Sequence, residues 1–148
     1  MNAAPHESAQ RRPILLVEDN PVDIDLTCRA FARSALPAAR IHIARDGEAA
    51  LDCLQRWDDG EVPPALILLD IKLPRVNGIE VLRQLKRHPV HRCIPVVMLT
   101  SSSEHRDLRD AYSLGVNSFI VKPVDFDRFV EAAAQIERYW FDLNQPLC

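Results

Sequence analysis

The chain has 148 residues, 47% of them hydrophobic and 26% charged, with a formal net charge of −3. That length suits one domain whose core needs neither disulfides nor structural metal, and the mild negative charge argues against a nucleic-acid partner, which needs a basic patch. No apolar run approaches the roughly 18 residues that cross a bilayer, and the opening MNAAPHESAQRR lacks a signal-peptide core, so a cytoplasmic protein with no membrane partner is expected.

The first apolar run, PILLV (13–17), reads as a strand buried on both faces. Asn20 then suits an N-cap and Pro21 a first helical residue, with Ile24, Cys28 and Phe31 recurring at helical spacing. RIHIA (40–44) is the second strand, followed by a helix from about Asp46 to Trp57 with Ala50, Leu51 and Leu54 inward. ALILL (65–69) leads to a helix beginning near Asn77, whose Ile79, Leu82 and Leu85 share a face. IPVVML (94–99) precedes SSSE, where Ser101 and Glu104 have capping-box spacing for a helix that ends before Gly115. SFIV (118–121) precedes a last helix carrying Phe126, Phe129, Val130, Ala133, Ile136 and Trp140. Pro37, Pro63, Pro64, Pro74, Pro89 and Pro123 fall between these segments, where a missing N–H does least harm. Five strand–helix units in strict alternation predict a doubly wound α/β sandwich, a parallel sheet with helices on both faces. The domain is expected over 13–141, with a flexible segment at 1–12 and a tail at 142–148.

Cys28, Cys53, Cys93 and Cys148 form no C-x-x-C pair and are expected to be free thiols. HPVHRC (88–93) clusters two histidines and a cysteine, but no second ligand set lies nearby, which favours a surface loop over a zinc site.

In doubly wound sheets the working site lies beyond the carboxyl ends of the strands. There the first strand delivers Glu18 and Asp19, the third Asp70, the fourth Thr100 and Ser101, and the fifth Lys122 and Pro123. The second ends in Ala44 and Arg45 and offers nothing obvious. Glu18, Asp19 and Asp70 make an oxygen-rich pocket suited to a hard divalent cation, with Mg²⁺ the natural candidate. Without metal, like-charge repulsion raises at least one carboxyl pKa. A carboxylate can take up a phosphoryl group, and such transfer needs positioning and charge neutralisation, which Mg²⁺, Lys122 and the Thr100 hydroxyl supply. Asp70 is the best acceptor because it follows an inner strand with no polar alternation, while Glu18 and Asp19 are better placed to hold metal.

VEDNP (17–21), LILLDIKLPRVNG (66–78), VVMLTS (96–101) and FIVKP (119–123), in that order, resemble the receiver domain of two-component response regulators over roughly residues 13–138. The resemblance implies a flavodoxin-like fold with strand order 2-1-3-4-5, a histidine kinase as partner, and Asp70 as phosphoacceptor. It implies Mg²⁺ on Glu18, Asp19, Asp70 and the Lys72 backbone carbonyl, and Thr100 and Lys122 on the phosphoryl group. It also implies a cis Lys122–Pro123 bond and Phe119 as an aromatic switch coupled to Thr100, so that phosphorylation alters the surface of the fourth helix, fifth strand and fifth helix. Lys72 and Ser102 sit where the family tunes dephosphorylation.

DNPVDIDLTCRAF (19–31), the loop before the third strand, and IERYWFDLNQPL (136–147) are similar to stand-alone receivers paired with phytochrome-type histidine kinases, which often pair through the last helix and tail. Tyr139, Trp140, Phe141 and Leu143 cannot all lie on one helical face, so a homodimer contact is expected there. Other readings fit less well. A flavin carrier would place an anionic phosphate against Glu18, Asp19 and Asp23. A haloacid-dehalogenase-type phosphatase wants a carboxylate where Lys72 stands. No P-loop motif occurs. A phosphate-carrying role in a longer relay fits the same residues as a terminal regulator.

Overall fold

The computed structural model describes residues 12–34 and 40–148; the expected N-terminal segment, apart from Arg12, lies outside them, as does Pro37. Five strands form one parallel sheet: β1 (Ile14–Val17), β2 (Ile41–Ala44), β3 (Leu66–Leu69), β4 (Val96–Thr100) and β5 (Ser118–Val121). Their order is β2-β1-β3-β4-β5, so the chain reverses direction across the sheet between β1 and β3. The inner strands are unbroken apolar runs because helices cover both of their faces. All four residues of β3 are fully buried, each contributing about 2 kcal/mol of apolar transfer. Edge strand β2 is more open, with His42 and Ile43 exposed.

Strand alternation divides the core in two. Leu15, Val17, Ile67, Leu69 and Met98 face α2 (Gly47–Asp58), α3 (Gly78–Arg87) and α4 (His105–Ser113). Ile14, Leu16, Leu66, Leu68 and Leu99 face α1 (Pro21–Arg33) and α5 (Phe126–Glu137). Four of the five helix starts have a local cause. Asn20, Asp46, Asn77 and Asp125 accept backbone N–H bonds as N-caps of α1, α2, α3 and α5, and Pro21 opens α1 as expected. In α2 the buried residues include Cys53 and Trp57 beside Ala50, while Leu51 and Leu54 are half-buried.

Three expectations are corrected here. Ser101 and Glu104 form no capping box. Ser101 is exposed, Glu104 takes the cap position without a side-chain bond, and buried Ser102 instead donates from Oγ to Asp107 Oδ2 at 2.6 Å. The last helix does not reach Trp140 as a regular α-helix. It widens into a π-helical segment, Arg138–Leu143, closed by the Asn144 N–H donating to the Tyr139 carbonyl at 2.7 Å.

The third correction concerns the thiols. Cys93 and Cys148 form a disulfide, with Cα atoms 6.0 Å apart, and only Cys28 and Cys53 are free among the described residues. The tail returns to the segment before β3, where the Arg12 guanidinium donates to the carbonyls of Pro63, Pro64 and Cys148. A pairing across 55 residues depends on that return path and has no local signature.

Candidate functional site

The strand ends bring the expected residues together. Glu18 is 1% exposed, Asp70 7% and Thr100 fully buried, with Asp19 exposed at the rim. Glu18, Asp19 and Asp70 each offer a carboxylate oxygen within 4.8 Å of the others. The Lys122 ammonium lies among them. It donates to Glu18 Oε1, to Asp70 Oδ2 at 3.2 Å and to Asp23 Oδ2 at 3.2 Å. Asp70 Oδ1 accepts the Ile71 N–H at 2.8 Å, which orients its carboxylate.

Charge is unbalanced in this pocket: three carboxylates share one ammonium, and a fourth, Asp19, stands at the rim. Burial pushes the Glu18 carboxyl up to about 7, and Asp70 adds to the shift, while Lys122 works against it. Burial alone would lower Lys122, but the carboxylates of Glu18, Asp70 and Asp23 outweigh it and hold the ammonium above its ordinary value. A divalent cation fits this donor set, since hard oxygen ligands with surplus negative charge suit Mg²⁺ or an ion like it. Lys72 is exposed two residues beyond Asp70.

Thr100 Oγ1 accepts the Ser102 N–H at 3.2 Å, and Ser102 Oγ is tied to Asp107 in the first turn of α4. Two hydrogen bonds thus link Thr100 to the first turn of α4. Phe119 is half-buried against the core face shared with α2, α3 and α4. The expected cis bond is a correction: the Lys122–Pro123 peptide is trans, as are all peptides among the described residues. Trans is the default for X–Pro by about 0.5–1 kcal/mol, and fully exposed Val124 provides no packing to select the other isomer.

Asp23 was missed as a site residue. Its only sequence signal is its place one turn after Asp19, in the first turn of α1. Ser102 was placed by resemblance, but its partner Asp107 had no such signal.

HPVHRC is a turn fastened to α2. His88 Nδ1 accepts the N–H groups of Val90 and His91, both at 3.0 Å, so the neutral ring carries its proton on Nε2 and donates it to Asp58. His91 Nε2 reaches the same carboxylate at 3.1 Å. These two rings hold Asp58 below the usual carboxylate range. A metal on His88 Nε2 would need the proton on Nδ1, where two donors already point. The surface-loop reading therefore stands on hydrogen bonding.

Phe141 is 3% exposed within the α1–α5 core and so cannot join an exposed contact face. Trp140 is half-buried and meets the Tyr139 ring edge-on at 4.8 Å, whereas Tyr139 and Leu143 are exposed. No helix among the described residues is long and apolar enough to cross a membrane.

Comparison with known proteins agrees with this fold. Residues 14–134 match the response regulator receiver domain. The chain is 46% identical over 133 residues to the probable methanogenesis regulatory protein FilR2 of Methanothrix harundinacea, covering 89% of this chain and 85% of that protein. It is 37% identical to the response regulator Rcp1 of Synechocystis, covering 92% and 93%. Among solved structures, the phosphorylated cyanobacterial phytochrome response regulator RcpA superposes with a TM-score of 0.85 at 34% identity, over 93% of this chain and 99% of that one. The Mn²⁺-bound form of Rcp1 superposes with a TM-score of 0.81 at 33% identity, over 93% and 99%. A doubly wound sheet that gathers three acidic residues, a buried threonine and a lysine at its carboxyl edge, with these relatives, makes the chain a member of the response regulator receiver family.

Proposed function

We propose that Asp70 accepts a phosphoryl group from a histidine kinase, one linked to a phytochrome-like receptor, and that the resulting charge resets the face made by α4, β5 and α5. The carrying observation is the Lys122 ammonium held 3.2 Å from Asp70 Oδ2 within a pocket of carboxylates. In the transfer an Asp70 oxygen forms a P–O bond as the P–N bond of the kinase phosphohistidine breaks, and the departing imidazole takes up a proton. Glu18, Asp19, Asp70 and the Lys72 carbonyl would hold Mg²⁺, which supplies positive charge to the transferring group; the Mn²⁺-bound relative supports a divalent ion. Lys122 turns from Glu18 toward the new phosphoryl oxygens and Thr100 donates its hydroxyl to one of them. The phosphoryl group adds about −1.5 to −2 charge, so both movements are electrostatically driven. Phe119 and the Ser102–Asp107 bond carry the movement of Thr100 to β5 and α4. The protein is thus a phosphoacceptor that catalyses only its own phosphorylation and dephosphorylation.

Acetyl phosphate with Mg²⁺ is expected to add one phosphoryl mass to the intact protein. Asp70→Asn and magnesium-free samples should stay unmodified. An adduct that persists in Asp70→Asn would reject Asp70 as acceptor.

Homodimerisation through the C-terminal segment is proposed on Tyr139 and Leu143, which are 50% and 61% exposed, with Trp140 supporting Tyr139 from below. Tyr139→Ser with Leu143→Ser should move the protein to monomer in light scattering without loss of helicity. An unchanged mass would remove this face from consideration.

A further inference from the structure

We propose that Cys93 and Cys148 form a thiol–disulfide modification site, through which a small disulfide of the glutathione class fastens or releases the C-terminal tail independently of the phosphoacceptor pocket. Cys93 ends the 3₁₀ turn His91–Cys93 just before β4, and Cys148 is the last residue of the sequence. The two are joined in the structure.

Accessibility separates this pair from the other thiols. Cys148 is exposed and Cys93 half-exposed, so external thiols can reach the bond, and exposed disulfides are the ones that exchange. Cys53 is buried, and burial pushes its thiol up, away from the reactive thiolate. Cys28 is partly buried and is pushed up by burial and by Asp25.

This bond is the tail's covalent tie to the body of the fold. Leu147 is 91% exposed, so burial of its large apolar residue does not hold it down. Beside the disulfide, the Cys148 carbonyl accepts from Arg12 Nη1 at 2.8 Å. Breaking the S–S bond removes that tie and leaves the segment to noncovalent contacts, among them this bond and the Asn144 N–H to the Tyr139 carbonyl. The segment so released begins directly after exposed Leu143. Redox state would therefore set whether the residues beside that patch are held to their own subunit.

The site lies at the amino edge of the sheet, before β4, whereas Asp70 and Thr100 lie beyond the carboxyl ends of β3 and β4. A strand of this length, at roughly 3.3 Å per residue, separates them by about 15 Å. Phosphoryl chemistry and tail attachment are thus physically separate inputs.

The oxidation balances without metal. The Cys148 thiolate, the more accessible, attacks one sulfur of R–S–S–R and expels R–S⁻, which takes up a proton. The Cys93 thiolate then displaces the second R–S⁻ from the mixed disulfide. Two protein thiols lose two protons and two electrons overall, and R–S–S–R takes up both to become two R–SH. Excess R–SH drives the reverse.

The test uses the full chain equilibrated across glutathione to glutathione-disulfide ratios, then alkylated and weighed intact. Oxidising ratios should give a protein with two alkylated cysteines, reducing ratios one with four. Cys93→Ser should instead carry a glutathione adduct on Cys148. Carboxypeptidase should release the tail severalfold faster from the reduced protein than from the oxidised, while acetyl phosphate labels both equally. Four alkylated cysteines at every ratio, internal bonding that survives in Cys93→Ser, equal carboxypeptidase rates, or labelling that follows redox state would each overturn the proposal.

Discussion

Gly78→Ala is expected to cost at least about 3 kcal/mol of stability and to abolish phosphoryl acceptance at Asp70. Gly78 is the first residue of α3, after the Asn77 cap, and its N–H donates to the Ile71 carbonyl at 2.7 Å. A Cβ at this position would stand 1.9 Å from the Asp70 carbonyl oxygen and 2.8 Å from Ile71 Cα. Both are backbone atoms at the end of a central strand, so no side chain can swing aside. Relief requires the start of α3 and the end of β3 to part by more than an ångström, which moves the backbone that aims the Asp70 carboxylate. Gly47 pins the same connection from the other side, since its Cβ would meet the Val76 carbonyl oxygen at 1.8 Å. Gly60 is the control. It has a φ of +107° but open space around it, so Gly60→Ala should cost about 1 kcal/mol of backbone strain and leave phosphorylation intact. Urea midpoints at constant slope give the stabilities, and intact mass gives the adduct. A Gly78→Ala protein as stable as Gly60→Ala and fully phosphorylated would show that the contact does not set the site.

What could be read in the sequence was what neighbouring residues decide. ILLV, LILL and VVMLT are continuous apolar runs because inner parallel strands have two covered faces, and the polar residue ending each run marks the carboxyl edge. Glu18, Asp70 and Thr100 therefore announced themselves by position, and Asn20, Asp46 and Asn77 announced the helices that follow. What could not be read depends on contacts between distant segments. Asp23 meets Lys122 across 99 residues, and Cys93 meets Cys148 across 55. Phe141 looked like part of a surface cluster because a straight helix cannot bury it with Ile136 and Trp140. The π-helical widening at Arg138–Leu143 rotates it back into the core. The cis bond was carried over by resemblance alone, and the Lys122–Pro123 peptide is trans with Val124 beyond it fully exposed.

Lys122→Met is expected to destabilise the metal-free protein by about 3–5 kcal/mol near pH 8, the cost of stripping the partner from buried charge. The loss should shrink as pH falls. Glu18 explains why. Its carboxyl is pushed up to about 7 from an ordinary 4.5, by burial first, so the folded protein holds this proton more tightly than the unfolded chain does. Such a group favours folding below the unfolded value and withdraws that contribution as pH rises through the folded one. Wild-type protein without metal should therefore lose up to about 3 kcal/mol between pH 4.5 and 7 from Glu18 alone. Without the Lys122 ammonium, Glu18 ionises against Asp23 and Asp70 unaided, which moves the same loss to higher pH. Mg²⁺ should offset it in both proteins, and more in Lys122→Met, because the cation meets a site with one fewer competing positive charge. Thermal melts of both proteins from pH 5 to 8, with and without Mg²⁺, measure all of this. A cost for Lys122→Met that is the same at every pH and indifferent to Mg²⁺ would mean that Lys122 acts by packing its stem rather than by neutralising the carboxylates.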